Sequence, residues 1–296
     1  MSRAADLLVW LCAILPGALG DGTPPNLLAS DDECQDCFSA MQVPLLRARK
    51  IYDGTALSQE AWETDFDFVA RVLVPNQGRL ILCAGLAWRH HVLTAAHCLI
   101  GVDDSILVTT AHHKSDVSHV KIHPDYDGHG NSGAYDFALL TLSTPLKNTR
   151  TVALRSAHPA VGSEVRVCGF GWTTETGGNS NVPVCTDGIP IIECPTHWNG
   201  AACASSGGYS AAMACNGDSG AAWFREENGI VVIDAILSFN YGGSCGTTDR
   251  QAGMYSTSSA KSWLEEVAPG YFAWMPDPTP PTPAPTPDST PTPTPD

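Results

Sequence analysis

From Phe68 onward the chain is a succession of short apolar runs set between turn-rich stretches: Phe68–Val74, Arg79–Cys83, Ile106–Thr110, Val117–Ile122, Ala138–Leu142, Glu164–Gly169 and Ile230–Ser238. Their length and β-branched content mark strands. Many short strands with no helices between them call for antiparallel sheets closed into barrels, because closure removes exposed edges. The predicted fold class is therefore all-β. One helix stands out near the end. Ala260, Trp263, Leu264 and Val267 recur at i, i+3, i+4 and i+7 to make one apolar face, and Pro269-Gly270 stops it.

A length of 296 residues allows one or two domains, and 43 % hydrophobic content is enough for a packed core. The net charge of −15 argues against nucleic-acid or anionic-membrane partners and suits a soluble exported protein. Residues 1–20 read as a secretory signal. Arg3 supplies a thin positive start, Leu7 to Leu19 is mostly apolar, and Ala18-Leu19-Gly20 offers small residues for cleavage. That run spans only ~20 Å as a helix, short of a ~30 Å hydrocarbon core, so no membrane anchor is expected. The expected location is extracellular.

Residues 21–50 form a polar, proline-containing segment ending in Arg47-Ala48-Arg49-Lys50. Of 11 cysteines, Cys12 lies in the signal; the ten that remain, an even number in an exported chain, imply a disulfide framework. Cys34 and Cys37 fit a redox pair or an oxidised structural loop, and export favours the second. From Met275 the chain changes character. Ten of the 21 residues from Pro276 onward are proline, alternating with threonine, which cannot bury a core. Residues 271–296 read as a disordered tail, an O-glycosylated stalk or a spacer.

Three motifs carry chemistry: Leu93-Thr94-Ala95-Ala96-His97-Cys98, then Tyr135-Asp136-Phe137-Ala138-Leu139-Leu140, then Cys215-Asn216-Gly217-Asp218-Ser219-Gly220. They supply a histidine, an aspartate and a serine. A serine hydroxyl is too weak an acid to attack an amide unaided. A neutral imidazole takes its proton, and a buried carboxylate fixes the imidazole's tautomer. Asp136 opens an otherwise apolar strand, where a carboxylate is costly to bury without a partner, and His97 supplies one.

These motifs, in this order and at these spacings, resemble the chymotrypsin/trypsin family of serine peptidases over roughly Ile51 to Val267. The resemblance implies two six-stranded barrels over residues 51–270, with the active site between them and the C-terminal helix last. The boundary between the barrels is expected near Thr149 to Gly162. Ser219 becomes the nucleophile, His97 the base and Asp136 its orienting group, with Ser238 a further partner of Asp136. The N–H groups of Gly217 and Ser219 form the oxyanion hole. Asp218 is implied to pair with the α-amine of Ile51 once the Lys50–Ile51 bond is cut. Ile51-Tyr52-Asp53-Gly54 departs from the family's usual Ile-Val-Gly-Gly, and Ala221-Ala222 from its usual Gly-Pro.

The resemblance also implies disulfides Cys83–Cys98, Cys194–Cys203 and Cys215–Cys245. Of the four cysteines left, Cys168–Cys185 is the first choice, with Cys34–Cys37 closing on itself. The family often has a cysteine shortly after the nucleophile; this chain has Arg225 near that place.

The resemblance places Met213 at the floor of the substrate pocket, where trypsin-like members have aspartate, and Asn240 and Gly253 in its walls. No carboxylate then awaits a basic side chain, so an apolar residue is expected before the scissile bond. His112, His113, His119, His123 and His129 are spaced too irregularly for a zinc site. The family's calcium loop looks too short here, with 39 residues from His97 to Asp136. No metal or cofactor is expected. The expected partners are protein or peptide substrates and an activating trypsin-like protease, and the chain is expected to be a monomer. A non-catalytic protease-like binding module and an esterase-like hydrolase are the alternatives.

Overall fold

The computed structural model describes residues 54–276 apart from 103–104, 129–134, 148–149, 174–176, 197, 199, 207–212 and 248. The expected signal, the 21–50 segment with Cys34, Cys37 and Lys50, the expected new terminus Ile51, His129 and residues 277–296 lie outside the described residues.

The described chain enters through a two-residue strand, β1 (Thr55–Ala56), and a short helix, α1 (Gln59–Thr64), whose N-terminus Ser58 caps by accepting from Ala61 N–H. Six strands follow: β2 (Val69–Asn76), β3 (Arg79–Trp88), β4 (His91–Thr94), β5 (Leu107–Thr109), β6 (Lys114–Ile122) and β7 (Ala138–Leu142). They close into a barrel in the order β2-β3-β4-β7-β6-β5. The two-residue period of each strand sorts its side chains. Ala138, Leu140 and Leu142 of β7 enter this barrel's core with Val72, Val92 and Val108. Phe137 and Leu139 point the other way, into the cluster shared with the second barrel. Val92 and Leu93 of β4 divide in the same manner.

The second half contributes β8 (Val152–Arg155), β9 (Glu164–Gly169), β10 (Val184–Cys185), β11 (Ile189–Ile192), β12 (Ala201–Ser205), β13 (Ala222–Glu227), β14 (Ile230–Tyr241) and β15 (Gln251–Ser256). The ring β9-β11-β12-β15-β14-β13 returns to β9 through antiparallel pairs and closes the second barrel. Strand β8 lies in the stretch between the barrels and pairs parallel with β14. The C-terminal helix α2 (Lys261–Val267) buries Trp263 and Leu264.

After α2 the chain does not leave the domain at Gly270. Tyr271 Oη donates to Trp88 O at 2.9 Å, and β16 (Ala273–Met275) pairs parallel with β8. The packed chain therefore reaches Met275, into the 271–296 stretch read from sequence as a tail.

Four disulfides brace the two halves: Cys83–Cys98, Cys168–Cys185, Cys194–Cys203 and Cys215–Cys245. Arg225 forms a fork on the buried Asp234, with Nε to Oδ2 at 2.8 Å and Nη2 to Oδ1 at 3.0 Å. Nη2 also donates to Ser163 Oγ just ahead of β9, at 3.2 Å. Arg155 of β8 reaches Asp234 and Glu227, and its Nη1 donates to Pro276 O. This ionic cluster ties β13, β14, β8 and the last described residue together.

Candidate active site

Three local features bring the motif residues to the seam between the barrels. Strand β4 ends at Thr94, and a 3₁₀ turn over Ala96–Leu99 follows, pinned by the Cys83–Cys98 disulfide. It presents His97. Asp136 immediately precedes Phe137, whose ring anchors in the inter-barrel cluster, so its carboxylate is drawn inside. The two residues lock by two bonds. His97 N–H donates to Asp136 Oδ1 at 2.8 Å, and His97 Nδ1 lies 2.7 Å from Asp136 Oδ2. A carboxylate only accepts, so Nδ1 carries the hydrogen, and in the neutral imidazole this leaves the lone pair on Nε2. The Asp136 side chain is 0 % exposed and that of His97 29 %, which leaves the ring's far edge reachable.

Ser238, from the second barrel, donates to Asp136 Oδ2 at 2.5 Å. This one carboxylate therefore receives donors from both barrels. Its charge is also felt nearby: burial first, and the Asp136 charge second, push the Tyr126 and Tyr255 phenols up to about 12.

The Ser219 turn sits against the same 3₁₀ turn. Ala84 N–H donates to Ser219 O at 2.8 Å, and Cys98 Sγ lies 3.9 Å from both Ser219 O and His97 Nε2. Gly220 permits this approach. A Cβ there would stand 2.1 Å from Thr94 Oγ1 and 2.4 Å from Ala84 O. The neighbouring amides Asp218 N–H and Gly220 N–H donate to Cys215 O and Leu237 O. Among the described residues, Gly217 N–H and Ser219 N–H donate to no backbone acceptor. Two free donors beside a serine suit a developing oxyanion.

Asp218 is fully buried and accepts from Gly171 N–H at 2.7 Å and Cys215 N–H at 2.8 Å. Burial pushes its carboxyl up to about 6, against the opposing pull of those two amides, Arg250 and Phe170 N–H.

Of the residues expected to shape the substrate pocket, Asn240 lies on β14 and Gly253 on the paired β15, opposite Phe239. Met213 is buried, and Ser238 is committed to Asp136. The room that Gly253 leaves is taken by the Phe239 ring, since a Cβ at Gly253 would fall 2.2 Å from Phe239 Cζ. That ring packs edge-on to Trp198, which also meets Tyr241. The open space lies alongside instead. A cavity of about 650 Å³ is lined by Trp172, Asn216, the 242–245 turn, Thr247 and Arg250. Arg250 and Trp172 belong to no motif. The available signal was an arginine five residues after Cys245 in a chain with only 16 lysines and arginines.

The described histidines do other work. His123 is buried against Tyr135 and Trp263, and its Nδ1 accepts from Asp125 N–H, while His119 contacts Ser118 on exposed β6. Among the described residues no three potential metal ligands converge.

A pair of closed antiparallel β-barrels with a His–Asp couple facing a Gly-Asp-Ser-Gly turn defines the chymotrypsin-like double-barrel class. The family model Trypsin matches residues 58–264, and this chain belongs to the trypsin family. Trypsin zeta of Drosophila melanogaster is 27 % identical over 206 residues, covering 60 % of this chain and 71 % of that protein. Chymotrypsin-like elastase family member 1 of Canis lupus familiaris is 24 % identical over 260 residues, covering 77 % and 96 %. Glucanase inhibitor protein 2 of Phytophthora infestans is 26 % identical over 199 residues, covering 64 % and 73 %.

Proposed function

We propose that this chain is a secreted serine endopeptidase, made as a precursor that is cut between Lys50 and Ile51. The observation that carries the reading is the His97 Nδ1–Asp136 Oδ2 contact of 2.7 Å on a buried carboxylate, beside the Ser219 turn. Ser219 Oγ attacks the peptide carbonyl while His97 Nε2 accepts its proton. Asp136 holds the ring and stabilises the imidazolium. The oxyanion takes hydrogen bonds from Gly217 and Ser219 N–H, a donor of this kind contributing ~3–4 kcal/mol. His97 then passes its proton to the leaving amine as the C–N bond breaks. Water, deprotonated by His97, hydrolyses the acyl-Ser219 ester and returns the proton to Oγ. Cutting after Lys50 releases the Ile51 amine to pair with Asp218 and set the oxyanion turn. The trypsins and the elastase among the relatives support peptide hydrolysis, and the four disulfides support export. Met213, in place of an acidic floor, disfavours lysine or arginine before the scissile bond.

The test is labelling with a fluorophosphonate, and peptide hydrolysis, before and after brief trypsin treatment. The cut protein labels and hydrolyses, with Ile51 as its new N-terminus. Ser219→Ala folds but does neither. A Ser219→Ala protein that keeps more than a few per cent of kcat overturns the assignment. Two relatives are named glucanase inhibitors, which makes a non-catalytic binding module the second reading. A cut protein that stays unlabelled supports it.

A further inference from the structure

The cavity beside the Ser219 turn has a cation in its wall. Arg250 is only 7 % exposed, yet its guanidinium lines the open space. Two of its nitrogens are held by neutral acceptors: Nε donates to Ala214 O and Nη1 to Gly243 O, each at 3.0 Å. Ala214 follows Met213 and Gly243 lies in the cavity wall, so the guanidinium ties that wall to the strip leading to the Ser219 turn. Nη2 has no protein acceptor among the described residues, and Arg250 makes no ion pair there.

Asp218 is the buried carboxylate whose charge acts on it. Both Asp218 oxygens already receive backbone N–H groups, and the residue is completely shielded from the cavity's solvent. A buried guanidinium held by carbonyls alone lacks the anionic partner that normally offsets its desolvation. Burial accordingly depresses the Arg250 pKa, with the Asp218 charge working against it. A planar guanidinium with unused N–H groups matches a carboxylate in geometry and charge. Of the remaining lining, the Trp172 indole, Cys245 and two glycines suit the aliphatic stem of such a side chain, and Asn216, Ser244 and Thr247 add polar groups around the carboxylate.

We propose that this cavity receives the acidic side chain of the substrate, an aspartate or glutamate preceding the scissile bond, and that Arg250 is its specificity-determining residue. Position supports the assignment. Asn216 lines the cavity and adjoins Gly217, whose free N–H flanks the nucleophile. A side chain one residue before the attacked carbonyl can enter from there. The apolar preference expected from Met213 and from Asn240 narrowing the entrance gives way, because Met213 is buried and Phe239 fills the space over Gly253.

The proposal rests on the peptidase reading, so its test has an arm that needs no catalysis. With trypsin-cut protein, tetrapeptide nitroanilides that differ only in the last residue are compared for Glu, Leu and Lys. Glu is expected to give at least a ten-fold higher kcat/KM than Leu or Lys. In Arg250→Gln the Glu:Leu ratio is expected to collapse by ten-fold or more, and Arg250→Lys to retain part of it. Unchanged fluorophosphonate labelling of Ser219 establishes that the variants are folded.

In the second arm, acetyl-Ala-Ala-Pro-Glu and acetyl-Ala-Ala-Pro-Gln are titrated calorimetrically into cut Ser219→Ala protein. Both peptides end in an α-carboxylate, so a difference reads the side chain alone. Tighter binding of the Glu peptide, lost in Ser219→Ala/Arg250→Gln, supports the subsite even if hydrolysis is never observed. Equal binding of the two peptides, a wild-type preference for Leu, or an unchanged Glu:Leu ratio in Arg250→Gln overturns it.

Discussion

Asp218 offers the most quantitative perturbation, because its buried carboxyl is held at about 6 against an ordinary value of 3.8. That rise of about 2 units corresponds to about 3 kcal/mol of preference for the neutral form. The folded pKa lies above the unfolded one. Between them the unfolded chain has released a proton that the fold still holds. The contribution is thus fully present below pH 3.8 and disappears as the pH climbs through about 6. Replacing Asp218 with Asn in the uncut chain removes the titration and leaves a neutral side chain of the same shape. From pH 4 to pH 7.5 the uncut wild type should lose up to about 3 kcal/mol relative to Asp218→Asn. In a domain of this size that is a relative Tm change of roughly 6–12 °C, readable by scanning fluorimetry. Cutting at Lys50 supplies the Ile51 amine, a cation that favours the ionised form, so in the cut protein the slope should flatten or reverse. Parallel curves for uncut wild type and variant would refute the claim that burial holds the carboxyl up. An identical slope before and after cutting would refute the Asp218–Ile51 pairing.

Two further outcomes follow from the hydrogen-bond geometry. Ser238→Ala deletes a 2.5 Å bond to the Asp136 carboxylate, worth about 2 kcal/mol, and should lower kcat by roughly ten- to thirty-fold with little change in KM; a change confined to KM would argue against a positioning role. Arg225→Met leaves Asp234 buried with Arg155 alone and should cost about 3 kcal/mol in a chemical denaturation midpoint, a loss that Asp234→Asn in the same chain should partly relieve.

The strands were legible because each wall is a short apolar run between turns, and the resemblance supplied their closure into barrels. The continuous run Phe137-Ala138-Leu139-Leu140 marked β7, but only the fold sorts Ala138, Leu140 and Leu142 to one face and Phe137 and Leu139 to the other. The elements that escaped notice lack such a pattern. β1 and β10 are two residues long, β16 is held by backbone pairing to β8, and α1 is six residues fixed by its Ser58 cap. The His97, Asp136 and Ser219 neighbourhoods each occupy one contiguous motif, so sequence could point to all three. The cavity could not be read in this way. Its wall includes Gly242 to Cys245, Thr247 and Arg250, and chain folding rather than residue periodicity decides where Arg250 ends up.

One irregularity in β14 links the catalytic support to the pocket. Leu237 pairs with Met254 and Phe239 with Gly253, so Ser238 is an extra residue bulged from the ladder. A bulge re-aims side chains that strict alternation would otherwise send to opposite faces. Here it frees Ser238 to reach Asp136 in the other barrel and turns the Phe239 ring over Gly253. The same backbone step that steadies the carboxylate behind His97 thereby closes the space Gly253 would have opened. The substrate side chain is left with the neighbouring cavity, where Arg250 rather than Met213 sets the chemistry.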